Sequence, residues 1–289
     1  MCGRFACSLN NTALQERVRR EAIDPKNGWK DQDFYSPSYN VAPRRWIPVI
    51  RYSQDNYLLQ TMKWGFISRR AKELPEHQPI NARDDTLIYQ HSMFDNAKDD
   101  GRCIIVAEGF YEWKNINSKK KIPYFTKRKD GKLMLFAGLC DTSNVIQGEP
   151  VTTCTIITTD ASKEFSSIHD RMPVILDNDN LDQLKTWLNP SPWSSKHEAL
   201  LKPFEGDLTT YQVTDAVGSI KNNSSDFIVP VDQLKGSITS FFQKTRKPQD
   251  SDIAKEAKTD TKPSTGKRER EEDDNIQRKK KIDIQHYFS

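Results

Sequence analysis

The second residue of the chain is a cysteine, in the opening Met1-Cys2-Gly3. A side chain this small permits ordinary removal of Met1, and the product carries an α-amine and a thiol on adjacent carbons. Their reference pKa values, about 7.7–8.0 and about 8.5, leave a useful fraction of each group unprotonated near neutrality. A 1,2-aminothiol condenses with an aldehyde first to an imine. Attack of the thiol on the imine carbon then closes a five-membered thiazolidine that resists hydrolysis. Met-Cys is also an ordinary start to a chain, so the rest of the sequence has to show whether this chemistry is used.

Two further side chains could move protons in such a reaction. Glu112 lies among Phe110, Tyr111 and Trp113, where partial desolvation would raise a carboxyl pKa towards neutrality. The alternative for a lone glutamate is one half of a structural salt bridge. His169 stands beside Asp170 and Arg171, and its imidazole could shuttle a proton or hold a hydroxyl, although a histidine in a charged turn is commonly only solvated. His77, His91, His197 and His286 lack any such context and read as surface residues.

The elements that must position these groups read as α+β, a mostly antiparallel sheet core with flanking helices. Short apolar runs at 46–52, 57–64, 103–107 and 151–158 have strand character. Asp130-Gly131 divides 124–127 from 132–139 as a hairpin turn would. Thr12 and Gln15 have the spacing of a capping box, and Leu14, Val18 and Ala22 recur on one face of a first helix. Leu181, Leu184, Trp187 and Leu188 mark another helix, stopped by Asn189-Pro190. No regular βαβ alternation appears.

Composition sets the frame. The 289 residues are 35% apolar and 10% aromatic, enough for one substantial core. No apolar stretch approaches the roughly 18 residues that cross a bilayer, and the start lacks a secretion signal, so a soluble intracellular chain with no membrane partner is expected. Five cysteines without a CxxC pair argue against a disulfide framework or a structural zinc site, and most read as reduced core residues. From Val231 to the end there are 14 Lys+Arg and 11 Asp+Glu, so the preceding region holds only +1 of the net +4. Any nucleic-acid surface there must be a local cluster.

From Gln243 to Lys281 apolar residues are so few that the segment cannot offset its ordering entropy. The expected organisation is a domain over 2–231 and a disordered tail over 232–289. Residues 235–242 and 281–288 both read K-x-x-I-x-x-aromatic-aromatic, with Ile238, Phe241 and Phe242 in one copy and Ile284, Tyr287 and Phe288 in the other. This looks like a sliding-clamp binding box, in which one helical turn sets an aliphatic and two aromatics on a single face. Both copies have lysine, Lys235 and Lys281, in place of the usual first-position glutamine. Lys267 to Arg270 and Arg278 to Lys281 look like a two-part nuclear import signal, and a nuclear location is expected.

The chain opens MCGRF and continues with YNVAP at 39–43, WG at 64–65, NAR at 81–83, EGFYEW at 108–113, IHDRMP at 168–173 and VGSIKNNSSDFIVPV at 217–231. This ordered series closely resembles the SOS-response-associated peptidase (SRAP) family, whose eukaryotic members shield abasic sites in single-stranded DNA. The resemblance covers about residues 2–231. It implies covalent capture of the abasic aldehyde by Cys2, with Glu112 and His169 opening the closed sugar. It also implies DNA contacts from Arg4, Asn81 and Arg83, together with Pro43 and Trp64 of the neighbouring motifs, and no metal or cofactor. Arg44-Arg45 and Arg69-Arg70 flank Trp46 and Trp64, an interleaving suited to backbone tracking with base stacking. The family name records a proposed peptidase activity, which removal of Met1 would satisfy.

Two other readings remain open on the residues alone. Class II glutamine amidotransferases also expose a cysteine at position 2 and release ammonia, but they predict further amide-binding motifs that have no counterpart here. A non-catalytic, clamp-tethered DNA-binding adaptor explains the tail and leaves Cys2 and Glu112 idle.

Overall fold

In the computed structural model, residues 2–146 and 148–234 are described. The tail motifs with Ile238, Phe241, Phe242, Ile284, Tyr287 and Phe288, and both basic runs, lie outside them. The strands are β1 (Phe5–Cys7), β2 (Trp29–Lys30), β3 (Ser38–Val41), β4 (Trp46–Ser53), β5 (Asn56–Trp64), β6 (Asn81–Arg83) and β7 (Arg102–Ala107). They continue with β8 (Gly109–Asn117), β9 (Lys120–Arg128), β10 (Met134–Ile146), β11 (Glu149–Asp160), β12 (Arg171–Pro173), β13 (Ile175–Leu176) and β14 (Leu208–Gln212). The helices are α1 (Asn11–Glu21), α2 (Asp84–Tyr89), α3 (Asp95–Asp100), α4 (Leu181–Leu188) and α5 (Ser195–Glu198). Among the described residues no helix is long and apolar enough to cross a membrane.

The architecture is α+β and mostly antiparallel. A five-stranded sheet runs β14-β9-β8-β1-β3, and a larger one runs β12-β11-β10-β7-β4-β5-β2. Parallel pairing of β11 back onto β5, Thr153 with Lys63 and Cys154 with Trp64, closes β11-β10-β7-β4-β5 into a ring. Closure removes the exposed edges that an open sheet of this size would present. The strands that share the ring read as near-continuous apolar runs because both their faces are covered. All six residues of β7 are buried.

Three local expectations are corrected. The Asp130-Gly131 turn forms, with Gly131 at φ +73°, but it does not make a hairpin. β9 pairs with β8 and β14, whereas β10 pairs with β7, β11 and β13. The run 134–139 is buried throughout and takes an apolar strand on each side, so the chain crosses between sheets at this corner. Helix α1 begins ahead of the expected box: Asn10 accepts from the Ala13 N–H at 2.9 Å, and asparagine is the stronger cap. Leu14 and Val18 are buried on its inner face. His197 is no surface residue but 3% exposed, stacked on Trp193 at 5.5 Å and closing a capping box with Ser194.

The core has two parts. The main cluster lies between the sheets, where Phe5 of β1 packs on Trp64 and Phe136. A smaller one, Ala6, Tyr111, Phe125, Val213, Val217 and Phe227, lies across the five-stranded sheet and holds the 213–228 segment. Alternation along β8 therefore sends Phe110 and Glu112 to one face and Tyr111 and Trp113 to the other.

Candidate active site

Cys2 is fully buried at the edge of the main core. Its carbonyl accepts from Asn81 Nδ2 at 3.0 Å, and the Arg4 carbonyl two residues on accepts from Tyr111 N at 2.9 Å. The first residues are thereby fixed to β6 on one side and β8 on the other. Burial pushes the Cys2 thiol far up, and the Glu112 carboxylate adds to this.

Glu112 comes from β8, the strand beside β1, with 6% of its surface exposed. Burial raises its carboxyl to about 7, and the Asp170 charge pushes in the same direction. The close fit of β8 on β9 depends on Gly109, where an added Cβ would meet the Thr126 carbonyl at 2.6 Å. A carboxyl titrating near 7 can both donate and accept a proton at working pH.

Asn81 and His169 reach the site from opposite sides of one strand. The end of β11 pairs in parallel with β6, Ile156 with Asn81, and antiparallel with β12, Asp160 with Arg171. Arg171 ties these edges together: Nη2 donates to Asp84 at 2.6 Å and to the Thr158 carbonyl at 2.7 Å, and Nη1 donates to Asp160 at 2.7 Å. His169 Nδ1 receives the Arg171 N–H at 3.0 Å and lies 2.7 Å from Asp170. An N–H can be accepted only by an unprotonated Nδ1, whereas Asp170 favours the imidazolium. Burial is the larger influence and lowers the pKa, which favours a neutral ring with its proton on Nε2. The Oδ1 of Asn81 is buried and accepts no hydrogen bond among the described residues. An orphaned buried acceptor in a polar site points to a donor supplied by a ligand or by the amino terminus.

Cys2, Asn81 and Glu112 thus come together, with His169 on the neighbouring turn, but the expected DNA-contacting set divides. Trp64 is fully buried, packs on Phe5 with ring centroids 5.1 Å apart, and donates Nε1 to the Ile80 carbonyl at 2.9 Å. It cannot stack on a base, because β5 alternation turns it into the core. Arg4 is 9% exposed. Its Nη1 donates to Asn40 Oδ1 at 2.6 Å and to the Val217 carbonyl at 2.9 Å, and its guanidinium lies over Trp113, 5.5 Å from the ring centroid. Arg4 accordingly pins the 217–222 segment and offers no open fork to a phosphate. Arg83 is half-exposed and bound to Asp85. Pro43 is exposed just beyond β3. Arg69 is engaged by Asp100 and Asp141 at 2.7 and 2.6 Å.

The sequence reading passed over Asn40. It is 4% exposed, accepts from Arg4, and donates Nδ2 to the carbonyls of Val217, Ser219 and Asn222 at 3.2, 3.0 and 2.9 Å. Its place inside YNVAP was the one available signal, since its partners lie some 180 residues away in the chain.

The chain matches the SOS response associated peptidase (SRAP) family over residues 1–220 and belongs to that family. Among its relatives, the Bacillus subtilis abasic site processing protein YoqW is 40% identical over 231 residues, spanning 79% of this chain and 99% of the relative. The chicken abasic site processing protein HMCES is 30% identical over 267 residues, 80% of this chain and 78% of its own length. A crystal structure of a protein from Bacteroides thetaiotaomicron superposes with a TM-score of 0.65 at 26% identity, covering 78% of this chain and 99% of that one.

Proposed function

We propose that this protein processes abasic sites in DNA, and that it does so by capturing the lesion's aldehyde in a single strand through the amino terminus of Cys2 once Met1 is removed. The observation that carries the proposal is the placement of Cys2, held by Asn81, beside a glutamate pushed to about 7. The family membership and the names of the relatives support DNA with abasic sites as the target.

The chemistry follows from the groups present. An abasic deoxyribose is mostly a closed hemiacetal, so ionised Glu112 takes the C1 hydroxyl proton and passes it to the ring oxygen as the ring opens, while neutral His169 donates an Nε2–H hydrogen bond to that oxygen and Glu112 returns to its ionised form. The α-amine adds to the freed aldehyde, and loss of water gives the imine. The buried thiol is a poor thiolate, so its proton must leave as sulfur attacks. Glu112, whose charge acts on that thiol, receives it and returns a proton to the nitrogen. Ring closure balances without any oxidant and yields a thiazolidine crosslink that shields the lesion.

Intact-mass measurement after incubation with an abasic single strand tests this directly. The expected product is protein plus oligonucleotide minus one water, mapped to the peptide that begins at Cys2. A protein verified to retain Met1 is expected to form no adduct, because an amide nitrogen cannot make an imine. Equal adduct from that protein would remove the amine from the mechanism.

The two tail motifs support a second proposal, tethering to a ring-shaped replication clamp. Each aliphatic-aromatic plug is small, and two on one chain gain from effective concentration. Replacing Tyr287 and Phe288 with Ala is expected to weaken clamp binding in calorimetry, and adding Phe241→Ala and Phe242→Ala to remove it, with solution crosslinking intact. Clamp binding by the quadruple variant equal to wild type would mean these aromatics serve another partner.

A further inference from the structure

Three of the five cysteines share one face of the ring. Cys140 of β10 lies directly opposite Cys154 of β11, and Cys103 of β7 lies opposite Gly138, two residues before Cys140 and on the same face. Gly138 leaves room for the sulfurs: a Cβ there would come within 3.3 Å of Cys103 Sγ and 2.6 Å of the Thr155 carbonyl. Arg51 of β4 faces Cys103 from the next strand. All three thiols are free, and none takes part in the chemistry assigned to Cys2.

The backbone decides which pair of sulfurs can bond. In an antiparallel strand the N–H and C=O of one residue point to the same side. Cys140 N donates to the Gly101 carbonyl on the β7 side at 2.6 Å, and the Cys154 carbonyl accepts from Gly65 N on the β5 side at 2.9 Å. Each residue turns its backbone away from the other, so they form a non-hydrogen-bonded pair, whose Cα atoms lie about 4.5 Å apart. That falls within the span of about 4.4–6.8 Å that a disulfide bridges. Cys103 is only a diagonal neighbour of Cys140, at a Cα separation of about 7–8 Å, which is too long.

The side chains divide the work accordingly. Cys103 S–H donates to Cys140 Sγ, and this bond, with the Arg51 guanidinium, lowers the Cys140 pKa against the opposing effect of burial. Arg51 Nε is buried and meets no acceptor among the described residues, so an anionic sulfur beside it would be welcome. Cys103, Cys154 and Cys2 are instead pushed up by burial. Of the five cysteines, Cys140 is also the one that solvent touches, at 4% exposure against none for the others. An acidified thiol within reach of solvent and beside a second thiol is the arrangement of an oxidation-sensitive cysteine.

We propose that Cys140 is a peroxide-reactive thiol resolved by Cys154, so that hydrogen peroxide converts the pair to a disulfide across β10 and β11. The Cys140 thiolate attacks one peroxide oxygen, the O–O bond breaks, and the departing hydroxide takes up the proton that Cys140 released. Cys140 is then a sulfenic acid. The Cys154 sulfur attacks the sulfenic sulfur, the S–O bond breaks, and the oxygen leaves as a second water with the Cys154 proton. Two thiols lose two electrons to one peroxide, and a dithiol reductant reverses the change.

The test treats the full, reduced chain with a few equivalents of hydrogen peroxide, blocks the remaining thiols with N-ethylmaleimide in denaturant, and maps the unreduced peptides by mass spectrometry. The expected product carries a Cys140–Cys154 link, with Cys2, Cys7 and Cys103 alkylated, and dithiothreitol should restore every thiol. Cys154→Ala should lose the disulfide and accumulate a sulfenic acid at Cys140 that dimedone traps, whereas Cys140→Ala should lose both. Cys103→Ala should form the same link more slowly. In the wild type, a Cys103–Cys140 link, a Cys140 that is still alkylated after treatment, or oxidation of Cys2 ahead of Cys140 overturns the proposal. Those outcomes need no substitution to fold, and they are independent of whether the chain captures abasic sites.

Discussion

Cys2→Ala is expected to abolish the heat-stable adduct with an abasic strand while leaving the domain folded. Alanine is small enough for Met1 to be removed, so the variant keeps a free α-amine and loses only the sulfur. It can still form an imine, which hydrolyses on heating unless reduced, but it cannot close the ring. Borohydride treatment should therefore recover an adduct from Cys2→Ala that untreated samples lack, and this difference isolates the thiol's contribution. The structural cost is small: one buried sulfur is lost from a position already anchored by its backbone, on the order of 1 kcal/mol. Denaturing electrophoresis with and without borohydride makes the comparison. A heat-stable adduct from untreated Cys2→Ala would rule out the thiazolidine. Ammonia release from glutamine by the wild type, lost in the variant, would instead favour an amidohydrolase.

How much of this was legible in the sequence depends on whether the deciding contacts are local. The strands of the ring were readable because each carries an apolar run bounded by turn residues, and burial on both faces leaves that imprint. The hairpin at Asp130-Gly131 was misread because a turn signal fixes where a chain bends and not which neighbours the next strand finds. Trp64 followed the same logic: the WG pair marks an important position, but only the parity of β5 tells that the indole faces Phe5. Arg4 is expected at DNA because the family resemblance implies it and a guanidinium fork fits phosphate oxygens. Its acceptors, Asn40 Oδ1 and the Val217 carbonyl, are 36 and 213 residues away, and no local reading could have joined them. Glu112 was the opposite case: desolvation was expected from its aromatic motif and burial is the main cause of its shift, although only Phe110 of its three aromatic neighbours shares its face of β8.

The second large effect is expected at Glu112, and it should run in opposite directions for rate and stability. Glu112→Gln keeps shape and removes proton transfer, so capture should slow by about 10²–10⁴-fold, the usual range for general acid-base catalysis. In the wild type, ionised Glu112 opens the sugar, so the capture rate should rise through pH 7. In the variant that inflection should vanish, leaving only the rise set by the α-amine near about 7.7–8.0. Stability moves the other way. A carboxyl raised from 4.5 to about 7 by folding means that the folded state holds a proton which the unfolded chain has released. Stability contributed by the protonated form is fully present below about 4.5 and is lost as pH rises through about 7, amounting to roughly 3 kcal/mol at about 1.4 kcal/mol per unit. Glutamine is never ionised, so the variant should escape this loss. Its melting temperature should match wild type near pH 4.5 and exceed it at pH 8, where the buried charge is fully present. A site that lowers its own stability to keep a reactive group poised shows this pairing of lost rate and gained stability. Thermal melts across pH beside single-turnover crosslinking measure both at once. A variant less stable than wild type at pH 8, with an unchanged rate, would return Glu112 to a structural role.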